Sequence, residues 1–129
     1  MIILLDTSVL IDSLNARAEI RSFLQDQLRA HNTLSCCAVT IAEVHAGMRR
    51  HEAQATSEFL DALDFYETTR AIARRAGDLK AAWSRKGHTL SLPDVLIAAV
   101  ALENGLALAT ANRKHFPMPE LKLLRLPLN

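Results

Sequence analysis

The sequence predicts an α/β fold: a three-layer α/β/α sandwich around a central, mostly parallel sheet of about five strands. Three observations carry that expectation. Short apolar runs alternate along the chain with segments of helical periodicity, as in a sheet whose parallel strands are joined by right-handed helical crossovers. The strand-like runs are almost continuously apolar rather than alternating, which marks strands covered on both faces. One helical segment is apolar all round, as a helix buried inside a domain is.

The elements follow in order. Residues 2–5, Ile-Ile-Leu-Leu, read as a buried strand that stops on Asp6, with Thr7 and Ser8 opening the next helix. In residues 17–31, Ile20, Phe23, Leu24 and Leu28 recur at three- and four-residue spacing, the stripe of a one-sided helix. Residues 34–39 form a second apolar run, read as a strand, after which Glu43 falls in the first turn of a helix. Residues 52–63 are helical, and 65–68 are a weaker third strand. Ile72, Ala76, Leu79 and Trp83 stripe a helix over 70–86, which makes Trp83 a core residue. Residues 94–104 are the all-apolar helix, halted by Asn104-Gly105. A fourth strand is expected over 106–109 and a last edge strand over 122–126.

Bulk properties narrow the classes. The chain has 129 residues, half of them hydrophobic, and shows no repeat or Pro/Gly/Ser linker, so one domain over 1–129 is expected. Its longest apolar run, 95–102, is far below the roughly 18–20 residues of a membrane helix, and residues 1–5 lack a basic leader. A soluble, cytoplasmic protein without membrane contact is therefore expected. Cys36 and Cys37 are adjacent and point to opposite faces of a strand, which opposes a disulfide between them. The five histidines are scattered and no CxxC occurs, so nothing predicts structural zinc. The net charge is only +1, but basic residues gather from position 49 onward, a distribution that permits a polyanionic partner.

Three acids fall where strands end and helices begin, the edge at which open parallel sheets bind ligands. They are Asp6, Glu43 and Asp94. Each also has a purely structural reading: Thr40-x-x-Glu43 and Ser91-x-x-Asp94 fit capping boxes, and Asp6 fits an N-cap. Taken together they say more. Three carboxylates converging on one spot raise one another's pKa values, and a cation removes that conflict. An all-oxygen ligand set favours a hard ion, Mg²⁺ or Mn²⁺, and such an ion with open positions suits phosphodiester hydrolysis.

The segments Leu4-Leu-Asp-Thr-Ser-Val-Leu-Ile-Asp, Ala42-Glu-Val-His-Ala-Gly, Pro93-Asp-Val-Leu-Ile-Ala-Ala-Val-Ala and Leu108-Ala-Thr-Ala-Asn-Arg-Lys-His-Phe, in this order, resemble the PIN-domain ribonucleases, in particular the VapC-like toxins of type II toxin–antitoxin systems. The resemblance spans nearly the whole chain. It implies a Mg²⁺- or Mn²⁺-dependent endoribonuclease that hydrolyses RNA and is restrained by a cognate antitoxin, as a homodimer or a toxin–antitoxin hetero-oligomer. It makes Asp6, Glu43 and Asp94 the catalytic acids, with Asp6 and Asp94 as primary metal ligands and Glu43 completing the cluster. Gly47 is implied to let its helix approach a neighbour closely. The fourth motif departs: where the family commonly has a further acid, this chain has Thr110, Asn112 and then His115 before Phe116. Asn112 is at best a neutral oxygen ligand, which leaves a one-metal resting site as the expectation. Thr7, Ser8 and Thr110 are placed to hydrogen-bond ligands or a phosphate, and Arg49, Arg50, Arg113 and Lys114 to contact RNA phosphates. Helices over 17–30 and 52–63 offer a groove for an antitoxin helix. The alternative reading is a PIN-like module without catalysis that binds RNA or protein. A phosphatase with Asp6 as nucleophile is discounted, because it wants a second acid two residues on, where Ser8 stands.

Overall fold

A computed structural model describes residues 1–127. Five parallel strands, β1 (Ile2–Leu5), β2 (Thr33–Cys37), β3 (Asp64–Tyr66), β4 (Ala107–Ala109) and β5 (Leu123–Leu124), lie in the order β3-β2-β1-β4-β5. Six helices cover them: α1 (Thr7–Leu14), α2 (Ala18–Arg29), α3 (Ala38–Gly47), α4 (Ala53–Asp61), α5 (Arg70–Arg85) and α6 (Leu92–Asn104). The α/β/α sandwich with a five-stranded parallel sheet is as the sequence predicts, and β5 lies at an edge.

The pleat of β1 sorts the core. Ile3 and Leu5 face one way, into a cluster with Val9, Leu10, Ile20, Leu24 and Leu60 from α1, α2 and α4. Leu4 faces the other, into a cluster with Ile72 and Ala76 of α5 and most of α6. The alternation follows from the two-residue period of a strand, and both faces being apolar explains the unbroken run. Ser35, buried inside β2, satisfies its hydroxyl by donating to the Ile3 carbonyl at 2.8 Å.

Helix α6 is the most buried of the helices: Val95, Ile97, Ala98, Ala99, Val100 and Ala101 are all buried. Ser91 caps its first turn, accepting from the Asp94 N–H at 3.2 Å, and Gly105 ends it in the left-handed conformation at φ 65°. Because β4 begins just after Gly105, α6 runs against the strands and its first turn lies at their carboxyl edge.

Three local expectations are corrected. β2 ends at Cys37 rather than 39, because the Thr40 hydroxyl accepts the Cys37 N–H at 3.1 Å and starts α3 at Ala38. The capping box is therefore Cys37 with Thr40, not Thr40 with Glu43, and Glu43 lies in the second turn. The close approach expected at Gly47 is absent, since a Cβ placed there would meet nothing within 4 Å. Trp83 packs against the α6 side of the core, as expected, with the His88 ring edge-on at 5.4 Å. Among the described residues no helix is long and apolar enough to cross a membrane.

The burial pattern sets unequal costs. Ile97→Ala should destabilise by about 2–5 kcal/mol in urea unfolding, whereas Leu28→Ala, at a side chain 55% exposed, should stay within about 0.5 kcal/mol. Equal losses would contradict the assignment of α6 as the buried helix.

Candidate active site

Strands β2 and β3 lie on one side of β1, and β4 and β5 on the other, so the chain reverses direction across the sheet between β1 and β4. Asp6 stands at that switch point, at the carboxyl tip of β1, with its N–H donating to the Ala109 carbonyl at 3.0 Å. It is only 4% exposed. Its Oδ1 accepts from the Thr7 N–H at 2.8 Å, which makes it the N-cap of α1, and its Oδ2 accepts from the Thr110 hydroxyl at 2.6 Å. The cap and the site are thus one residue with two oxygens in different employment.

The electrostatics of Asp6 are adverse. Burial pushes its pKa above the ordinary carboxylate value; the Thr110 and Thr7 hydrogen bonds pull it back, and the charges of Asp94 and Glu43 push it up again. Among the described residues no lysine or arginine is ion-paired with Asp6, Glu43 or Asp94. A buried carboxylate whose ionic neighbours are two further acids is the situation a cation relieves.

The other two acids approach from separate helices. Glu43 is exposed on α3, and its Oε1 accepts from the Thr7 hydroxyl at 2.6 Å, so Thr7 joins two acids, one through its N–H and one through its side chain. Asp94, in the first turn of α6, gives its N–H to the Ser91 cap and turns Oδ2 to His115 Nδ1 at 3.3 Å. The capping explanation thus accounts for the Asp94 backbone but not for its carboxylate.

The expected convergence is looser than a finished metal cage. Among the described residues no three His, Cys, Asp or Glu side chains are grouped closely enough to hold an ion by themselves. Each carboxylate is engaged by a hydroxyl, an N–H or an imidazole. The oxygen donor set still suits Mg²⁺, which usually takes one or two carboxylates and keeps several waters. Cysteine chemistry has no place here, because burial pushes the Cys36 thiol up to about 11 and the Cys37 thiol also upward.

The auxiliary residues divide. Thr7 and Thr110 bind the acids directly. Ser8 instead accepts the Ala111 N–H at 3.4 Å, tying α1 to the segment after β4. Asn112 contributes its backbone N–H to the Thr110 hydroxyl at 2.9 Å and no side-chain hydrogen bond to the acids among the described residues. His115 is the partner of Asp94; its only signal in the sequence was its place in the departing fourth motif. Arg49 and Arg50 lie in the turn leading into α4, where the Arg49 N–H donates to Glu52 at 2.7 Å.

Comparison with known proteins identifies relatives of the chain. Residues 3–119 match the PIN domain family. Ribonuclease VapC10 of Mycobacterium tuberculosis is 38% identical over 118 residues, covering 92% of this chain and 88% of that protein. Ribonuclease VapC19 of the same organism is 29% identical over 120 residues, covering 92% and 96%. A crystal structure of VapBC2 from Rickettsia felis, bound to a DNA fragment from its promoter, has a chain similar in fold at TM-score 0.83 and 24% identity, over 96% of this chain and 98% of that one. A toxin–antitoxin complex from Klebsiella pneumoniae gives TM-score 0.75 at 30% identity over 95% of each chain.

The raised Asp6 pKa fixes the sign of a pH effect. The folded state binds the Asp6 proton more tightly than the unfolded chain, so the favourable contribution is complete below the unfolded pKa and lost as pH rises through the folded one. At pH 7 the ionised group is a burden, and metal-free Asp6→Asn should be more stable than the wild type in urea. That advantage should shrink as pH falls toward about 4; an advantage growing on acidification would contradict the account.

Proposed function

The chain belongs to the PIN-domain family, in its VapC branch, and on that premise we propose that it is a divalent-metal-dependent endoribonuclease, the toxin of a toxin–antitoxin pair, formed as one nuclease domain. The observation that carries the reading is Asp6: a buried carboxylate at the sheet's switch point, clamped by Thr110 and Thr7, whose ionic neighbours are Glu43 and Asp94.

Asp6 and Asp94 are the carboxylates that would hold Mg²⁺ or Mn²⁺, with Glu43 completing the site directly or through water. Such an ion, when bound, supplies Lewis-acid activation of the phosphodiester and of the attacking water. The chain's own groups do the positioning. Thr110 fixes Oδ2 of Asp6, and the Thr7 N–H fixes Oδ1, so that carboxylate keeps one orientation. Thr7 Oγ1 holds Oε1 of Glu43, which leaves Oε2 to accept a proton from water. Helix α6, anchored by its largely buried stretch Val95 to Ala101, sets Asp94 at the strands' carboxyl edge. The non-catalytic alternative has the intact acid trio against it.

The antitoxin reading rests on the groove as well as on the relatives. Leu24 and Leu28 of α2, with Phe59 of α4 and Leu63 just after it, line an apolar cleft of about 380 Å³ suited to an amphipathic helix. An arginine carried by that partner would block the acids by pairing with them. The chain would work as a homodimer or a toxin–antitoxin hetero-oligomer.

In a cleavage assay with purified protein and RNA, Asp6→Asn and Asp94→Asn should each lose on the order of 100-fold or more of the rate while retaining native circular dichroism. Chelation of divalent ions should abolish cleavage by the wild type. Undiminished cleavage by a folded double variant, or cleavage indifferent to chelation, would remove the proposal.

A further inference from the structure

Two open cavities that carry basic side chains border the acids, at the short 3-10 turn Arg113–His115 that follows β4. On one side Arg113 and Arg125, from separate segments, line an open cavity of about 270 Å³ together with Thr110, whose hydroxyl holds Asp6. On the other, Lys114, His115 and His88 line an open cavity of about 340 Å³ that is also walled by Asp94. Among the described residues Arg113, Lys114 and Arg125 have no ion-pair partner. Guanidinium groups brought from different segments to one cavity repel one another unless an anion lies between them, and their planar fork matches the oxygens of a phosphate.

Resting on the endoribonuclease reading above, we propose that these cavities seat the backbone phosphates on either side of the bond to be cut. A single RNA strand crosses the turn, with Arg113 and Arg125 on one phosphate and Lys114 on the other. The order of groups supports this placement, because Thr110 links the arginine cavity to Asp6 while Asp94 forms a wall of the lysine cavity. No aromatic ring lines the arginine cavity, and the lysine cavity has only the imidazoles of His88 and His115, with no Phe, Tyr or Trp, so contact is chiefly to backbone rather than to stacked bases. Arg125 thereby acquires a role that its place in a short edge segment does not announce.

The test uses fluorescence anisotropy with labelled oligo(U) and oligo(A) at several KCl concentrations, in an Asp6→Asn background that keeps the RNA intact. Arg113→Gln with Arg125→Gln should weaken Kd about tenfold or more on both oligonucleotides. The same pair should reduce the slope of log K against log salt by about 0.7, the amount by which one neutralised phosphate steepens it, and Lys114→Gln should reduce it again by a similar amount. Arg29→Gln, beside the start of β2 at the opposite edge of the sheet, should change neither quantity. Unchanged Kd and slope in the arginine pair, or a weakening confined to one oligonucleotide, overturns the inference. If the wild type cleaves RNA while the arginine pair binds normally, this inference alone fails; if the wild type neither binds nor cleaves RNA, the functional reading fails with it.

Discussion

A buried carboxylate at the tip of a central strand governs the rest of this molecule. Removing a charge from water is costly, and Asp6 lacks a cationic side chain among the described residues to offset that cost. What holds it ionisable is a pair of hydrogen bonds, from Thr110 and from the Thr7 N–H, reaching it from both strands of the switch point. The order β3-β2-β1-β4-β5 is what brings Thr110, more than a hundred residues away along the chain, to that carboxylate. Fold and site are therefore coupled through one short hydrogen bond across β1 and β4. Such an arrangement costs the free chain stability.

The remaining acids are held with different firmness. Asp94 stands in the first turn of a helix whose middle, Val95 to Ala101, is largely buried, and its N–H is held by the Ser91 cap. Glu43 stands on the exposed side of α3 and is fixed chiefly by the Thr7 hydroxyl. This division suits a centre in which Asp6 and Asp94 form the constant part and Glu43 the adjustable one. His115 sets its imidazole against the Asp94 carboxylate.

Much of this was legible in the sequence because it depends on local chemistry. The unbroken apolar run before Asp6, the all-apolar segment ending at Asn104-Gly105 and the striped helix over 70–86 each report burial through periodicity, and burial is what the fold obeys. The end of β2 was not legible: Ala38 and Val39 continue the apolar run, and only the Thr40 hydroxyl capturing the Cys37 N–H decides that the strand stops there. The Asp94–His115 contact and the shared cavity of Arg113 and Arg125 were hidden for another reason. They arise from strand order and from the path of the chain after β4, and neither leaves a spacing in the sequence. The sequence marks three acids at strand-to-helix junctions, whereas the looseness of their grouping is a matter of side-chain partners that only coordinates reveal.

The central claim is that these acids form a site for a hard divalent cation, and calorimetric titration of Mn²⁺ into the metal-free protein addresses it most directly. The account predicts saturable uptake by the wild type that disappears in Asp6→Asn. Absence of uptake by the wild type, or uptake that survives the substitution unchanged, would contradict it.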